Sequence, residues 1–502
     1  MPKQHKKMTL VGLILMIFTS VFGFANAPIA FYRMGYGAII WYVGAALLFF
    51  IPFALMMAEF GSSFKNEKGG MYTWMEQSVG PKYAFIGTFM WYTAYVIWMV
   101  GISAKVWIPM STLFSATDKT LDWSLFGLNS TQTIGVLGIV FMIVVTFLAS
   151  QGLDQITKVT SVGGLAVMSL NVVLLIVSLI ILIFNGGHFA QPIEGISSFI
   201  HSPNPAFTTP LSLISFLVFA IFAYGGLEAV GGLVDQTENA EKTFPKGIIL
   251  SALIISIGYA LSILLWGASA NWDAVLSGER VTLGNITYVL MNNLGLELGN
   301  ALGLSASAAA SIGAWFARFT GLSMFLSYLG AFFTLIYSPL KTIIEGTPRG
   351  LWPEKMTRNN DKNMPAAAMW IQCLLVVAII AIISFGGEGA QKFFEVLTLM
   401  TNVSMTIPYL FLAGAFPAFK RNQELDHSFN VFNTTTKSTM ATAIVLFLVG
   451  FANLFTIIEP LFRDDGPVWK DTLWQIAGPV VFALVAWLLF TRYERNRLAA
   501  KA

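Results

Sequence analysis

Apolar runs close to the roughly 20 residues needed to cross a hydrocarbon core recur about twelve times along this chain. Helices keep their backbone bonds internal, so a chain with so many runs folds as a helical bundle in lipid. The runs fall at residues 10–31, 38–58, 83–110, 132–150, 159–184, 211–234, 247–270, 313–338, 365–385, 396–419, 438–458 and 473–491. Composition agrees: 56% of residues are hydrophobic, 11% are charged and the mean hydropathy is +0.70, far from the balance of a soluble domain. The first run is too long for a removable signal peptide and lacks a small-residue cleavage site, so it stays as a span.

The net charge of +3 matters less than where the charges sit. Counted from an inner N-terminus, the inner segments collect Lys3, Lys6, Lys7, Lys65, Lys68, Lys82, Lys158, the basic residues of 339–364, Lys420, Arg421 and the basic C-terminal residues. The outer loops hold Arg33, Lys119, Arg280, Lys392, Arg463 and Lys470. That bias predicts a multi-pass protein of the plasma (inner) membrane with both termini cytoplasmic. The lone Cys373 excludes a disulfide framework, and His5, His188, His201 and His427 are scattered outside the spans, so neither a metal nor a cofactor is expected. The polar stretch 271–312 reads as an outer loop with short helices, its LSGERVTLGN as a turn. SPLKTIIEGTPRGLWPEKMTRNNDKNMP reads as an interfacial helix between turns.

Two runs are interrupted. The first breaks at TSVFGFANAP, residues 19–28, and the sixth at FAYGGLEAVGG, residues 222–232. Five spans separate the breaks, and because five is odd the second group of five would lie upside down relative to the first, as in inverted-repeat transporters. Each glycine inside a helix costs about 1 kcal/mol relative to alanine. Gly225, Gly226, Gly231 and Gly232 therefore need a reason. Close helix packing is one; an unwound segment meeting a ligand in a protein-lined cavity is the other. Glu228 costs about 2.5 to 3.5 kcal/mol at mid-membrane and marks either a proton pathway or a permanently protonated carboxyl bonded to a neighbouring helix.

A half-helix starting at the first break would offer N–H donors and a positive dipole end to a carboxylate, with free carbonyls for an ammonium group. An amino acid is the natural ligand. The hydroxyls of Thr19 and Ser20 either join that site or bond back to their own helix. Trp91, Tyr95, Trp98 and Lys105 share one helical face; the aromatics read as packing or, alternatively, as part of a substrate pocket, and Lys105 as snorkelling outward. Arg318 reads the same way, and the alternative makes Lys105 and Arg318 a rim that attracts anions.

The stretch AEFGSSFKNEKGGMYTWMEQSVGPK (58–82) resembles the signature that follows the second span in the amino acid-polyamine-organocation superfamily. FAYGGLEAVGGLVDQTENAEKTFPKGI resembles its sixth span and following loop, and the likeness runs on through SPLKTIIEGTPRGLWPEKM and NMP. GGMYTWM and the SP…LWP loop are most similar to its glutamate/γ-aminobutyrate antiporter family.

The resemblance implies an all-α membrane protein of twelve transmembrane helices with a LeuT-like 5+5 inverted repeat. Helices 1 and 6 would be broken, with repeats at 10–184 and 211–419 and two trailing helices at 438–491, all within one transporter domain, 1–502. It implies a secondary amino-acid transporter, an exchanger working by alternating access, and not an enzyme. Proton-coupled symport of neutral amino acids is the alternative, with a channel or sensor on the same fold behind it. By motif, the substrate site is carried onto Thr19, Ser20, Val21, Phe22, Gly23, Gly225 and Gly226, the covering aromatic onto Phe222 or its neighbour Tyr224, and proton coupling onto Glu228. The first-span signature is replaced here by TSVFG. Partners are the bilayer, a small amino acid and a coupled proton, with no nucleic acid; oligomeric state stays open.

Two departures from the resemblance stand out. Residues 159–184 contain no ionisable group where some proton-coupled relatives carry a lysine, which argues against a lysine switch. The chain ends about ten residues after its last run, which argues against gating by a C-terminal plug.

Overall fold

The computed structural model describes residues 7–278, 281, 283–462 and 466–499. Lys3, Lys6, Arg280, Arg463, Lys501 and the middle of the LSGERVTLGN turn lie outside the described residues. In chain order the helices are α1 (Leu10–Val21), α2 (Asn26–Met34), α3 (Ala38–Ala45), α4 (Ile51–Ser63), α5 (Met71–Ser78), α6 (Pro81–Lys105) and α7 (Trp107–Ser115). They continue with α8 (Ser130–Ala149), α9 (Leu153–Phe184), α10 (Pro210–Phe222), α11 (Ala240–Ser269), α12 (Trp272–Leu276), α13 (Ile286–Ala301) and α14 (Ala306–Glu345). The last are α15 (Glu354–Thr357), α16 (Ala366–Phe385), α17 (Gly387–Ser404), α18 (Ile407–Arg421), α19 (Thr435–Ile458) and α20 (Trp469–Ala499).

Ten segments among the described residues are long and apolar enough to cross a membrane. The difference from twelve runs has a physical reason. The first run is cut between α1 and α2, leaving α1 with 12 residues, too short to span alone. The run drawn at 396–419 as one helix is also divided, at Met405 and Thr406 between α17 and α18. That third interruption carries no glycine, and its one local mark is Pro408 in the first turn of α18, which a reading of 396–419 as one helix passes over. Between Gly226 and Thr237 the chain winds as a 3-10 helix, Leu227–Gln236, far longer than the usual one turn.

α14 runs along α9, α13 and α7, while α1 lies against α9, α11 and α14. Glycines set these approaches. A Cβ on Gly163 would sit 2.5 Å from the Leu326 carbonyl of α14, and one on Gly164 2.7 Å from the Leu15 carbonyl of α1. The span without an ionisable group is thus the one that meets two neighbours backbone to backbone. The tight 3-10 segment is held from α14: Ser338 donates to the Ala229 carbonyl, and the Lys341 ammonium, 1% exposed, donates to the Gly232 carbonyl at 2.9 Å and pairs with Asp235.

Glu59, the first of three acidic residues in the stretch 58–82, is fully buried in α4. One carboxylate oxygen accepts the N–H groups of Val431 and Phe432, both at 2.7 Å, and the other meets the Lys420 ammonium at 2.7 Å. This latch ties α4 to α18 and to the segment leading into α19. Glu59→Gln keeps the acceptor for the two N–H groups but turns an amide toward a nearly buried ammonium. Breaking such a pair costs about 3 kcal/mol. The expected outcome is a clearly lower melting temperature of the detergent-solubilised protein; an unchanged melting temperature would show that the latch is not structural.

Candidate functional site

The first break is built from backbone. α1 begins under a Thr9 cap and ends where Phe22 turns extended, and residues 22–25 lead into α2. The residue preceding α2 is Ala25, which has no side chain to cap it, and Pro28 in the first turn has no N–H to leave unpaired. The N–H groups of Phe24 and Ala25 have no partner among the described residues. The negative end of α1 and the positive end of α2 face one gap. The hydroxyls of Thr19 and Ser20 turn back into α1, each bonding the Met16 carbonyl at 2.9 Å. What this break presents as donors is therefore main chain rather than side chain.

The second break explains why there are two glycine pairs. Gly226 has φ +110°, and a Cβ there would collide with the Ser20 carbonyl, so the two breaks touch backbone to backbone. A Cβ on Gly225 would lie 2.9 Å from the Tyr409 hydroxyl. Gly231 and Gly232 serve packing instead: added methyls would lie 3.0 Å from the Trp74 ring and 2.7 Å from the Ser338 and Thr342 hydroxyls. The packing reading holds for Gly231 and Gly232, while Gly225 and Gly226 stand where the segment unwinds beside a cavity.

A single hydroxyl joins the breaks. Tyr259 of α11, fully buried, accepts the Gly23 N–H and the Asn26 amide, both at 3.0 Å, and lies 3.2 Å from the Ala223 carbonyl to which it donates. Phe22 stacks on its ring with centroids 4.5 Å apart.

Glu228 sits just beyond the second break, 1% exposed. Its Oε1 accepts Trp91 Nε1 at 3.1 Å and the Tyr95 hydroxyl at 3.2 Å, both from α6. Its Oε2 accepts the Gly226 N–H at 3.2 Å, a donor it shares with the Tyr409 hydroxyl of α18 at 2.9 Å. Three of the roughly four acceptor positions of this carboxylate are thus taken by protein donors. Trp91 and Tyr95 read as packing in the sequence; they pack, and they also fix the acid.

These groups border a cavity of about 430 Å³. Thr19, Ser20, Val21, Phe22 and Gly23 line it from the first break, and Phe222, Gly225, Gly226 and Glu228 from the second. Tyr95 and Trp98 line it from α6. Of the two candidate aromatics, Phe222 is in the wall; Tyr224 points away, donating to the Tyr42 carbonyl at 3.1 Å and stacking on Phe50. Trp91 stands behind Glu228. Lys105 is exposed, and Arg318 lies over the Trp315 ring at 5.3 Å; neither borders the cavity. The sequence reading missed Tyr259, Tyr409, the Met405 and Thr406 break, and one face of α14. Its residues Met324, Ser327, Tyr328, Ala331 and Leu335 follow helical spacing, a signal present in the sequence but shared with ordinary core.

A bundle of apolar helices whose interrupted segments converge on an internal cavity is the build of a membrane transporter. Residues 8–483 match the amino acid permease family, and the chain belongs to that family. It is 59% identical over 493 residues to the inner membrane transporter YjeM of Escherichia coli (strain K12), covering 98% of this chain and 97% of that one. To the YjeM transporter of Salmonella typhimurium it is 58% identical, over 99% and 98% of the two chains. A glutamate/γ-aminobutyrate antiporter of Lactococcus lactis subsp. lactis is 24% identical over 98% of this chain and 92% of its own.

Tyr259→Phe keeps the stacked ring and removes the hydroxyl that satisfies both breaks. Leaving a buried donor unpaired costs about 1 to 3 kcal/mol. The variant should fold with a lowered melting temperature and bind amino acids more weakly, read as a reduced ligand-induced thermal shift. Wild-type values for both would take Tyr259 out of the site.

Proposed function

We propose that this chain is a secondary amino-acid transporter of the exchanger type, working by alternating access about the two broken helices. The observation that carries the reading is the first break, where unpaired N–H groups of Phe24 and Ala25 at the positive end of α2 and the negative end of α1 border one cavity. A zwitterion matches that slot at both ends. The α-carboxylate takes the donors, and the ammonium takes carbonyls of the α1 terminus and the second break. Gly225 and Gly226 let the breaks approach closely enough for one small ligand to touch both.

In the same reading the spans form two inverted repeats, 10–184 and 211–419, followed by two helices within 438–491. Both termini lie in the cytoplasm of a plasma (inner) membrane, in keeping with the lysine and arginine bias. The YjeM relatives are named as inner membrane transporters and the Lactococcus relative as an antiporter, which supports carriage over a channel or sensor.

Glu228 is the proposed proton-linked group, and its surroundings favour a coupled step. Trp91 Nε1–H and the Gly226 N–H can only donate, so the ionised carboxylate suits all three contacts. The neutral acid needs Tyr95 to turn and accept instead, while the Gly226 N–H stays with the Tyr409 hydroxyl. Both tyrosines border the cavity, so a change in protonation alters its wall. Proton-coupled symport draws on the same observation as exchange does, and trans-stimulation separates the two.

Counterflow in proteoliposomes tests the carrier. Uptake of labelled amino acid should rise when the lumen holds unlabelled amino acid, whereas a channel shows no such stimulation. In Glu228→Gln the amide nitrogen faces either Trp91 Nε1–H or the Gly226 N–H, so some stability is lost, about 1 to 3 kcal/mol. The folded variant should transport with a flattened pH profile. A profile identical to the wild type would remove Glu228 from coupling.

A further inference from the structure

The wall of the cavity also says what kind of side chain it accepts, an inference that rests on the carrier reading above. Among the described residues that line it, Glu228 alone carries a charge. Its two oxygens already accept the Trp91 indole N–H, the Tyr95 hydroxyl and the Gly226 N–H, so a lysine or arginine side chain would have to displace these buried donors to pair with it. No basic side chain borders the space, so a second carboxylate would be unpaired. Burying a charge without a partner is strongly unfavourable.

The surface left for a side chain is apolar. On α6, Trp98 and Ile102 follow Tyr95 on one helical face; on α14, Met324, Ala331 and Leu335 do the same. The only hydroxyls on the α14 face are Ser327 and Tyr328. A methionine and a leucine suit substrates of varied apolar shape, because thioether chains repack readily. The volume, about 430 Å³, lies toward the small end of the roughly 300 to 1,000 Å³ range of small-molecule sites.

We infer that the substrate is an α-amino acid with no net charge, whose apolar side chain of methionine or leucine type lies against Trp98, Ile102, Met324 and Leu335. The main-chain slot supplies the affinity common to all amino acids. The apolar wall, and the absence of any free charge in it, supplies selectivity. This separates the chain from its distant relative named for glutamate.

The test is counterflow with purified protein in proteoliposomes at neutral pH, using labelled methionine, leucine, γ-aminobutyrate, glutamate and arginine in parallel. Thermal stabilisation by each compound in detergent gives a second readout that is independent of reconstitution. Methionine and leucine should exchange at least about tenfold faster than glutamate or arginine. γ-Aminobutyrate, neutral but without an apolar side chain, should also be poor. Met324→Lys places a cation in the wall and should lower methionine exchange while admitting glutamate as a competitor.

Exchange of glutamate or arginine as fast as methionine in the wild type would overturn the inference and leave the carrier standing. Stabilisation by apolar amino acids without trans-stimulated flux would uphold the side-chain assignment and sink the carrier. Neither flux nor stabilisation by any amino acid in folded protein would overturn both.

Discussion

In a bilayer no water rescues an unpaired peptide group, and the structure depends on how this chain meets that constraint at its interruptions. The Gly23 N–H goes to Tyr259, the Gly226 N–H to Tyr409 and Glu228, and the Ala229 and Gly232 carbonyls to Ser338 and Lys341. Apart from Glu228, two residues beyond Gly226, each partner comes from a different helix than the group it satisfies. The breaks are therefore tertiary features, with α11, α14 and α18 each contributing a side chain that pairs a backbone group of a neighbouring segment. The N–H groups of Phe24 and Ala25 stand outside this scheme, without a partner among the described residues, and both residues line the cavity.

The same constraint gives the glycines distinct tasks. Gly226 occupies a left-handed conformation that a side chain rarely adopts, and its missing Cβ lets the Ser20 carbonyl approach. Gly231 and Gly232 have ordinary backbone and are small because Trp74 and α14 are close. Substituting the first pair disturbs the contact between the two breaks. Substituting the second disturbs the contact between the 3-10 segment and its supports. These effects reach the cavity by different routes, so similar losses of activity would have different structural origins.

What the sequence made legible follows from how local each signal is. The spans were readable because hydrophobic length is written in consecutive residues, and the breaks near Gly23 and Gly226 because glycine and polar residues stand out against an apolar background. Glu228 was conspicuous for the same reason. Tyr259 and Tyr409 were not, since a tyrosine in an apolar run looks like packing until its hydroxyl is seen to reach another helix. The division at Met405 and Thr406 is marked only by Pro408 in the first turn of α18, a faint signal inside an apolar run, and the part Gly163 and Gly164 play in bringing α9 against α1 and α14 depends on contacts far apart in sequence. Lys105 and Arg318 show the converse: conspicuous charges near spans that the fold turns away from the cavity.

The position of Glu228 bears on what moves. Its carboxyl bridges the start of the 3-10 segment to α6 through Trp91 and Tyr95, and it shares the Gly226 N–H with the Tyr409 hydroxyl of α18. A rigid shift of the second break relative to α6 cannot occur without stretching or exchanging those bonds. Because one of the three donors, the Tyr95 hydroxyl, can rotate and accept, the network has a second arrangement available at the cost of one proton. The other two, an indole and a backbone amide, have no such freedom. A polar cluster with two arrangements, set between the second break and its supporting helices, is the kind of element through which protonation can bias a conformational equilibrium. In the proposed transport reading a ligand would bias the same equilibrium from the other side of Gly226. Proton and amino acid would then be coupled through one peptide N–H rather than through a long relay.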